Sequence, residues 1–356
     1  MSKALKPGYL YILNDSDQRS GTSSPYYKIG ITFESKTVED RIKEHQTGNP
    51  RDVVCVFALR TEAPFLIEQS LHRVHSTKRI RLEWFEFNDK ELKDLKNEVK
   101  KLDALFAPKV KKIRDYALKD SNGKNAVLSK ADQADAELIH QELLVLYHDK
   151  LERKLKRETI TATLKEKTAD HGQGIDGVVI VNVKGQGPPK FNATKFKNSS
   201  PANLALWNAF QKKSRTDELK VKGKPTPAKN HPTLYKEKQE QLSKAGLVKP
   251  EPHLVRDAGI NRTTDIEKLH DEYINLLEEE GKLQIQIDDR EMRLMMHINE
   301  ANGIENIANW NRKEETKFDE TAFKLAHPAL HNDLQYHVQG ASSVSYTIAK
   351  SRNYIV

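Results

Sequence analysis

The sequence predicts an α/β (α+β) protein: a small N-terminal domain with a three-stranded, mainly antiparallel sheet and flanking helices, followed by mostly helical tandem repeat modules. Three observations predict it. Over positions 1–90, β-prone apolar runs alternate with amphipathic stretches. Beyond them, long and highly charged stretches with helical spacing take over. In the second half, one ordered set of anchor residues occurs twice.

Gly8, Tyr9, Leu10, Tyr11, Ile12 and Leu13 form a β-prone run, and after a polar turn a second run covers 26–32, so the two read as a hairpin. Val38, Ile42 and His45 lie at i, i+4 and i+7 with charges between them, which predicts a helix over 37–48. Val53, Val54, Val56 and Phe57 mark a third strand over 52–59. Phe65, Leu66, Leu71 and Val74 mark a second helix over 64–76, and a short aromatic segment follows at 83–87. Trp84 and Phe85 are expected to close the core, and Cys55, in a Val-rich strand, to be a buried inert thiol.

The charged helical pattern of 89–107 passes into a basic segment holding Lys109, Lys111, Lys112 and Arg114 and a Ser-Asn-Gly turn, together read as helix and linker over 91–130. Then comes the duplication. Asp135, Glu137, His140 and Glu142 are matched in spacing by Asp265, Glu267, His270 and Glu272, 130 residues on. Lys190, Phe191, Asn192, Thr194, Phe196 and Pro201 are matched by Lys317, Phe318, Asp319, Thr321, Phe323 and Pro328, 127 residues on. A single three-residue gap reconciles both sets, giving modules at 131–211 and 261–356. Each reads as a long charged helix, a hairpin-like apolar patch, a Phe-x4-Phe segment and a short helix.

Between the modules, 212–260 begins with Lys212, Lys213 and Arg215 in a Lys-, Gly- and Pro-rich stretch and reads as a basic linker with one short helix. The paired phenylalanines, Trp207 and Trp310 are expected to pack inside the modules. His140 and His270, among acidic neighbours, read as one charged helix face copied by duplication rather than as metal ligands.

Composition narrows the function. Only 37% of the 356 residues are hydrophobic and 31% are charged, with a mean hydropathy of −0.73. No window approaches the roughly 18 apolar residues of a membrane span, and 1–7 lacks the apolar run of a secretory signal, so a cytoplasmic protein without membrane contact is expected. One cysteine excludes an internal disulfide, a zinc ribbon and an iron–sulfur site. With 59 Lys and Arg against 51 Asp and Glu, the net charge of +8 has the sign that phosphate backbones attract, and DNA is the expected partner.

Four ordered motifs then carry a resemblance: Leu10-Tyr11-Ile12-Leu13, Lys28-Ile29-Gly30-Ile31-Thr32, Asp40-Arg41-Ile42-Lys43-Glu44-His45, and Glu68 on the next helix. Over about a quarter of the chain, they resemble a GIY-YIG superfamily nuclease domain, in the phage-associated branch whose second triplet begins with lysine. The resemblance implies a metal-dependent DNA endonuclease of phage or mobile-element type, in a bacterial or phage-infected cell. In it Glu68 would hold Mg²⁺ or Mn²⁺, Arg41 would pair with non-bridging phosphate oxygens, Tyr11 would serve as general base or relay, and His45 would orient the attacking water. A further polar position downstream of the metal glutamate falls on Glu83 or Asn88.

The chemistry needs these residue types. Phosphodiester hydrolysis requires a deprotonated water, neutralisation of developing charge, and a stabilised leaving alkoxide. Arginine's fork suits phosphate oxygens better than lysine does. A phenol near pKa 10 is a poor base unless cations lie beside it. Lys28 stands where most of the superfamily has its second tyrosine; a lysine there contacts phosphate, shares the base role, or marks a domain that binds DNA without cutting it.

The chain from 264 onward resembles the C-terminal extension of YqaJ-type viral recombinases through Asn309-Trp310-Asn311, Phe318-Asp319 and an Arg-aromatic end, Arg352 to Tyr354. It lacks the recombinase catalytic array, so the modules are expected to grip DNA or contact a recombination, repair or host-defence protein, while the basic segments holding Lys109, Lys111, Lys112, Arg114, Lys212, Lys213 and Arg215 are expected to supply DNA affinity. Two classes follow: a DNA endonuclease, or a non-cleaving DNA-binding or host-factor-targeting protein on the same platform. Oligomeric state is not legible.

Overall fold

The computed structural model describes residues 5–47, 49–168, 174–184, 187, 189–246, 261–333, 336–338 and 343–351. The Arg-aromatic end at 352–356 and the 247–260 part of the expected linker lie outside the described residues.

The N-terminal domain forms as expected in kind: β1 (Gly8–Ser16), β2 (Ser23–Phe33), α1 (Val38–Gln46), β3 (Asp52–Thr61) and α2 (Pro64–Val74). Two short strands extend the sheet beyond the expected three, β4 (Arg79–Arg81) and β5 (Trp84–Glu86), in the antiparallel order β3-β1-β2-β5-β4. β1 lies in the middle, with Leu10, Ile12 and Ile29 against Ile67 and Leu71 on one face, and Tyr11 and Leu13 against Val38 on the other. Burial on both faces explains its near-continuous apolar run.

Phe85 is fully buried, as expected, and Trp84 is half-buried. Cys55 is exposed, contrary to expectation. Ile12 pairs with Phe57 and Leu13 with Cys55, so a bulge at Val56 breaks the in–out alternation of this edge strand.

The helix after the sheet, α3 (Asp89–Ala117), runs through Pro108 and takes in the basic cluster expected in a linker. Its buried stripe of Leu95, Val99, Leu102, Phe106, Val110 and Ile113 keeps helical spacing across the proline, so packing outweighs the one lost hydrogen bond.

Two long helices follow, α4 (Lys130–Glu166) and, later, the helix Thr264–Ile298. They pack antiparallel, as the order of their contacts shows: Asp135 meets Arg293 and His297, Tyr147 meets Glu291, and Arg157 meets Glu280. After α4 come β6 (Val179–Lys184), β7 (Lys190–Phe191), α5 (Ala193–Ser199), α6 (Pro201–Ala209), β8 (Gln211–Val221), α7 (Pro227–Asn230) and α8 (Pro232–Gly246). The long helix Thr264–Ile298, α9, is followed by β9 (Gly303–Ile304), β10 (Ala308–Phe318), α10 (Glu320–Ala326), α11 (Pro328–His331), β11 (His337–Val338) and β12 (Ser343–Ile348).

The hairpin expected in the second module forms, β9 pairing antiparallel with β10 through Gly303 with Asn309 and Ile304 with Ala308, and the first module, among the described residues, keeps only an antiparallel bridge between Ile175 and Val179; the longer strands pair across the halves. β6 pairs with β12, β7 with β11 and β8 with β10, all antiparallel. Thus 211–221, whose basic composition reads as linker, is an 11-residue strand. The start of the linker is structured because its strand partner lies in the other half, about 100 residues downstream, which local composition cannot report.

Equivalent bonds recur in the two halves. His140 Nε2 bonds the Lys222 carbonyl and His270 Nε2 the Ala349 carbonyl, both at 2.9 Å. The Lys222 amide donates to Ile307, and the Ala349 amide to Val178, both at 2.8 Å. The two histidines therefore tie each long helix to the end of a strand rather than forming a free charged face. Phe196 and Phe323 are fully buried in one shared aromatic cluster, with Phe191 and Phe318 half-buried around them. Trp310 is fully buried and donates to Asp217 across the halves, and Trp207 stacks on Phe318 at 4.6 Å.

The N-terminal domain is seated on this unit. Gly281 of α9 faces Arg73 of α2 so closely that an added Cβ would come within 2.6 Å of the Arg73 Cβ, and Ser351 lies 2.8 Å from the Ile80 carbonyl.

Candidate active site

β5 pairs with β2 only at Tyr26, Tyr27 and Lys28, so the Gly30–Phe33 edge of β2 has no strand beside it. At this edge lies a cleft of about 250 Å³ lined by Tyr11, Ile31, Phe33, Arg41, Phe65, Glu68 and Glu83. Three of the residues expected at the site, Tyr11, Arg41 and Glu68, are thus brought together.

Each is positioned by local sequence. Tyr11 lies opposite Gly30 in the ladder, and a Cβ on Gly30 would lie 2.7 Å from the Tyr11 ring. Gly30 is there to make room. Gly30→Ala is expected to cost about 1–3 kcal/mol through overpacking and to displace the phenol; a urea melt checks the first effect and a cleavage assay the second.

Arg41 stands one turn into α1, which a reciprocal capping box between Thr37 and Asp40 starts. Its Nε donates to the Tyr11 hydroxyl at 3.4 Å, and its Nη1 pairs with Glu44. Glu68 flanks the buried Ile67–Leu71 stripe of α2, a helix that begins at Pro64.

Lys28 is buried and forms an ion pair with Glu83. Of the two polar candidates, Glu83 lines the cleft and Asn88 does not; Asn88 caps α3 by accepting from the Glu91 amide. His45 is half-buried, with its Nε2 lacking a hydrogen-bond partner. Behind the cleft, His72 bonds the Ile29 carbonyl at 3.0 Å, and burial drives it down to about 4, so it stays neutral and locks β2 to α2.

Burial, reinforced by the negative charge of Glu83, pushes the Glu68 carboxyl up to about 7. Burial also raises the Tyr11 phenol, with Arg41 pulling the other way. Burial, then Lys28 and Arg41, holds His45 below its ordinary value, so its imidazole is neutral. The cleft thus holds two hard oxygen donors, one of them ionised only reluctantly. That donor set fits Mg²⁺ or Mn²⁺, ions that take few protein carboxylates and keep much of their water.

The basic residues divide into two groups. Lys109 pairs with Asp289, Arg114 with Glu62 and the Leu5 carbonyl, and Arg215 with Asp120, and all three side chains are largely covered. Lys111 and Lys112 are exposed on α3; Lys212 and Lys213 are exposed beside Asp319 and Glu314. A larger cavity of about 710 Å³ shares no residue with the cleft, and Arg293 and His297 within it are both bound to Asp135.

Sequence reasoning left out Phe33 and Phe65 of the cleft walls and the locking role of His72. Aromatic residues at a strand end or a helix start carry no chemical signal of their own.

The antiparallel sheet thus brings a tyrosine, an arginine and a buried glutamate to one open edge. Residues 8–100 match the T5orf172 domain family, a phage-associated and nuclease-related domain. The match takes in the whole five-stranded sheet, α1, α2 and the start of α3, and hence every residue of the cleft. No curated protein and no solved structure matches the chain. Among the described residues, no helix is long and apolar enough to cross a membrane.

Proposed function

We propose that this protein is a metal-dependent DNA endonuclease of phage or mobile-element type. The convergence of Tyr11, Arg41, Glu68 and Glu83 on one cleft carries the reading. Bound at Glu68, Mg²⁺ or Mn²⁺ supplies a Lewis acid for the phosphoryl group and the leaving oxygen. Arg41, already turned toward Tyr11, pairs with a non-bridging phosphate oxygen. His45 orients the attacking water, and Tyr11 takes up that water's proton as its own phenolic proton passes to the leaving oxygen. Lys28 holds Glu83 in place from beneath. The test is incubation with supercoiled plasmid and linear DNA in Mg²⁺, Mn²⁺ or EDTA: nicking in metal supports the reading, and intact DNA in every condition refutes it.

The Lys28–Glu83 pair favours a second reading, a domain that binds DNA without cutting it, because the lysine is committed to a carboxylate.

For the C-terminal unit, we read the recurring bonds and element order as an internal duplication, and we take the exposed lysines of α3 and β8 as the phosphate contacts. A recombination, repair or host-defence protein as a further partner rests on the recombinase resemblance alone. Lys111→Ala with Lys112→Ala is expected to flatten the plot of log affinity against log salt by roughly 1.8, at about 0.9 per phosphate contact. Arg114→Ala, by contrast, is expected to leave that slope and lower stability. Gel-shift titrations across salt concentrations check both.

A further inference from the structure

β4 and β5 are joined by a two-residue turn, Leu82 and Glu83, since Arg81 pairs with Trp84. Leu82 has φ +52°, while Glu83 does not enter the positive-φ region. A turn with positive φ at only its first residue is a position for glycine. Here it carries a leucine that is 70% exposed. A single exposed leucine is ordinary, but a bulky apolar side chain on backbone that favours glycine is not accounted for by folding.

The surroundings hold this tip rigidly. Arg79 donates to the Leu82 carbonyl at 2.6 Å and to the His72 carbonyl at 2.5 Å, with its guanidinium 4.9 Å from the centre of the Phe85 ring. On the other side, the Ser351 hydroxyl lies 2.5 Å from the Arg79 carbonyl and 2.8 Å from that of Ile80. The next residue, Glu83, is in the cleft, and Arg81 before it is exposed. A fixed apolar tip thus stands one residue from the carboxylates, with a cation on its other flank.

We infer that Leu82 is a wedge that enters the base stack of duplex DNA whose backbone is bound at the cleft. Apolar side chains inserted at a base step unstack and kink the duplex, and a neighbouring arginine anchors the adjacent phosphate. The strained turn keeps the leucine aimed outward, so the wedge needs no rearrangement on binding. The inference rests on the DNA reading of the cleft.

Unstacking unwinds DNA, which a sequence-independent assay detects. Relaxed closed-circular plasmid is incubated with the full-length protein in EDTA, treated with a metal-independent topoisomerase, and its linking-number distribution is read beside a gel shift on the same plasmid. The parent is expected to shift the distribution in proportion to bound protein. Leu82→Gly, which suits the turn and should melt no lower than the parent, is expected to lose most of that shift while binding within about threefold, and Leu82→Phe to keep it. Parent protein that binds without changing the linking number, or a Leu82→Gly protein that shifts it as far as the parent, overturns the wedge and leaves the nuclease reading standing. No plasmid binding by the parent overturns the DNA reading itself, and the wedge with it.

Discussion

Glu68→Gln is expected to abolish metal-dependent DNA cleavage, lowering the rate by about a thousandfold or more, and to leave plasmid affinity in EDTA nearly unchanged. The size follows from the several kcal/mol that a Lewis acid at the phosphoryl group supplies. The same substitution has a second consequence, in stability, and its response to Mg²⁺ separates a metal ligand from a merely structural glutamate. Burial and Glu83 hold the Glu68 carboxyl at about 7, against an ordinary value of 4.5.

Between those two values, the folded protein keeps a proton that the unfolded chain has lost, so stability falls as pH rises through that window and stays lower above it. The deficit is at most about 3 kcal/mol. Glu68→Gln escapes it: without divalent metal it should melt several degrees above the parent at pH 8 and close to it at pH 5. Mg²⁺ should raise the parent's melting temperature and leave the variant's where it is. Apparent metal affinity of the parent should weaken roughly tenfold per pH unit below about 7, because proton and metal compete for one carboxylate. Thermal melts at two pH values, with and without Mg²⁺, read all of this. Unchanged cleavage by Glu68→Gln would refute the assignment.

The N-terminal domain was legible because its determinants are local. The β-prone apolar runs of β1 and β2, the i, i+4 spacing of Val38 and Ile42, and the Pro64 start of α2 each act within a few residues, and they place Tyr11, Arg41 and Glu68 on elements that meet at one edge. What lay beyond the sequence depends on partners far along the chain. Glu83 and Asn88 are both polar, and spacing alone puts Glu83 first without disposing of Asn88; the Lys28 pair and the α3 cap separate their surroundings.

Cys55 reads as buried until the bulge at Val56 is known. The basic stretch at 212–221 reads as linker because its lysines report solvent on one side, while Leu219 and Val221 pack on the core from the other. Lys109, Arg114 and Arg215 looked like free cations since their carboxylate partners come from other elements.

Phe196→Ala and Phe323→Ala should each destabilise the protein by about 3–5 kcal/mol, the usual cost of emptying a fully buried phenylalanine site. The combination is the informative experiment. The two rings lie 4.8 Å apart in one cluster with Tyr336, although their residues belong to different copies of the repeated anchor set. Two modules with separate cores would give additive losses, since independent sites add to within about half a kcal/mol. In the shared cluster, the first truncation already removes part of what the second ring packs against, so the double variant should lose less than the sum by roughly 1–3 kcal/mol.

The pairing of β6 with β12 and β8 with β10 makes the same demand, because neither half can complete its strands without the other. A double-mutant cycle by urea denaturation, with a single transition common to fluorescence and circular dichroism, measures the coupling. Strict additivity would mean that the two halves fold as separate bodies.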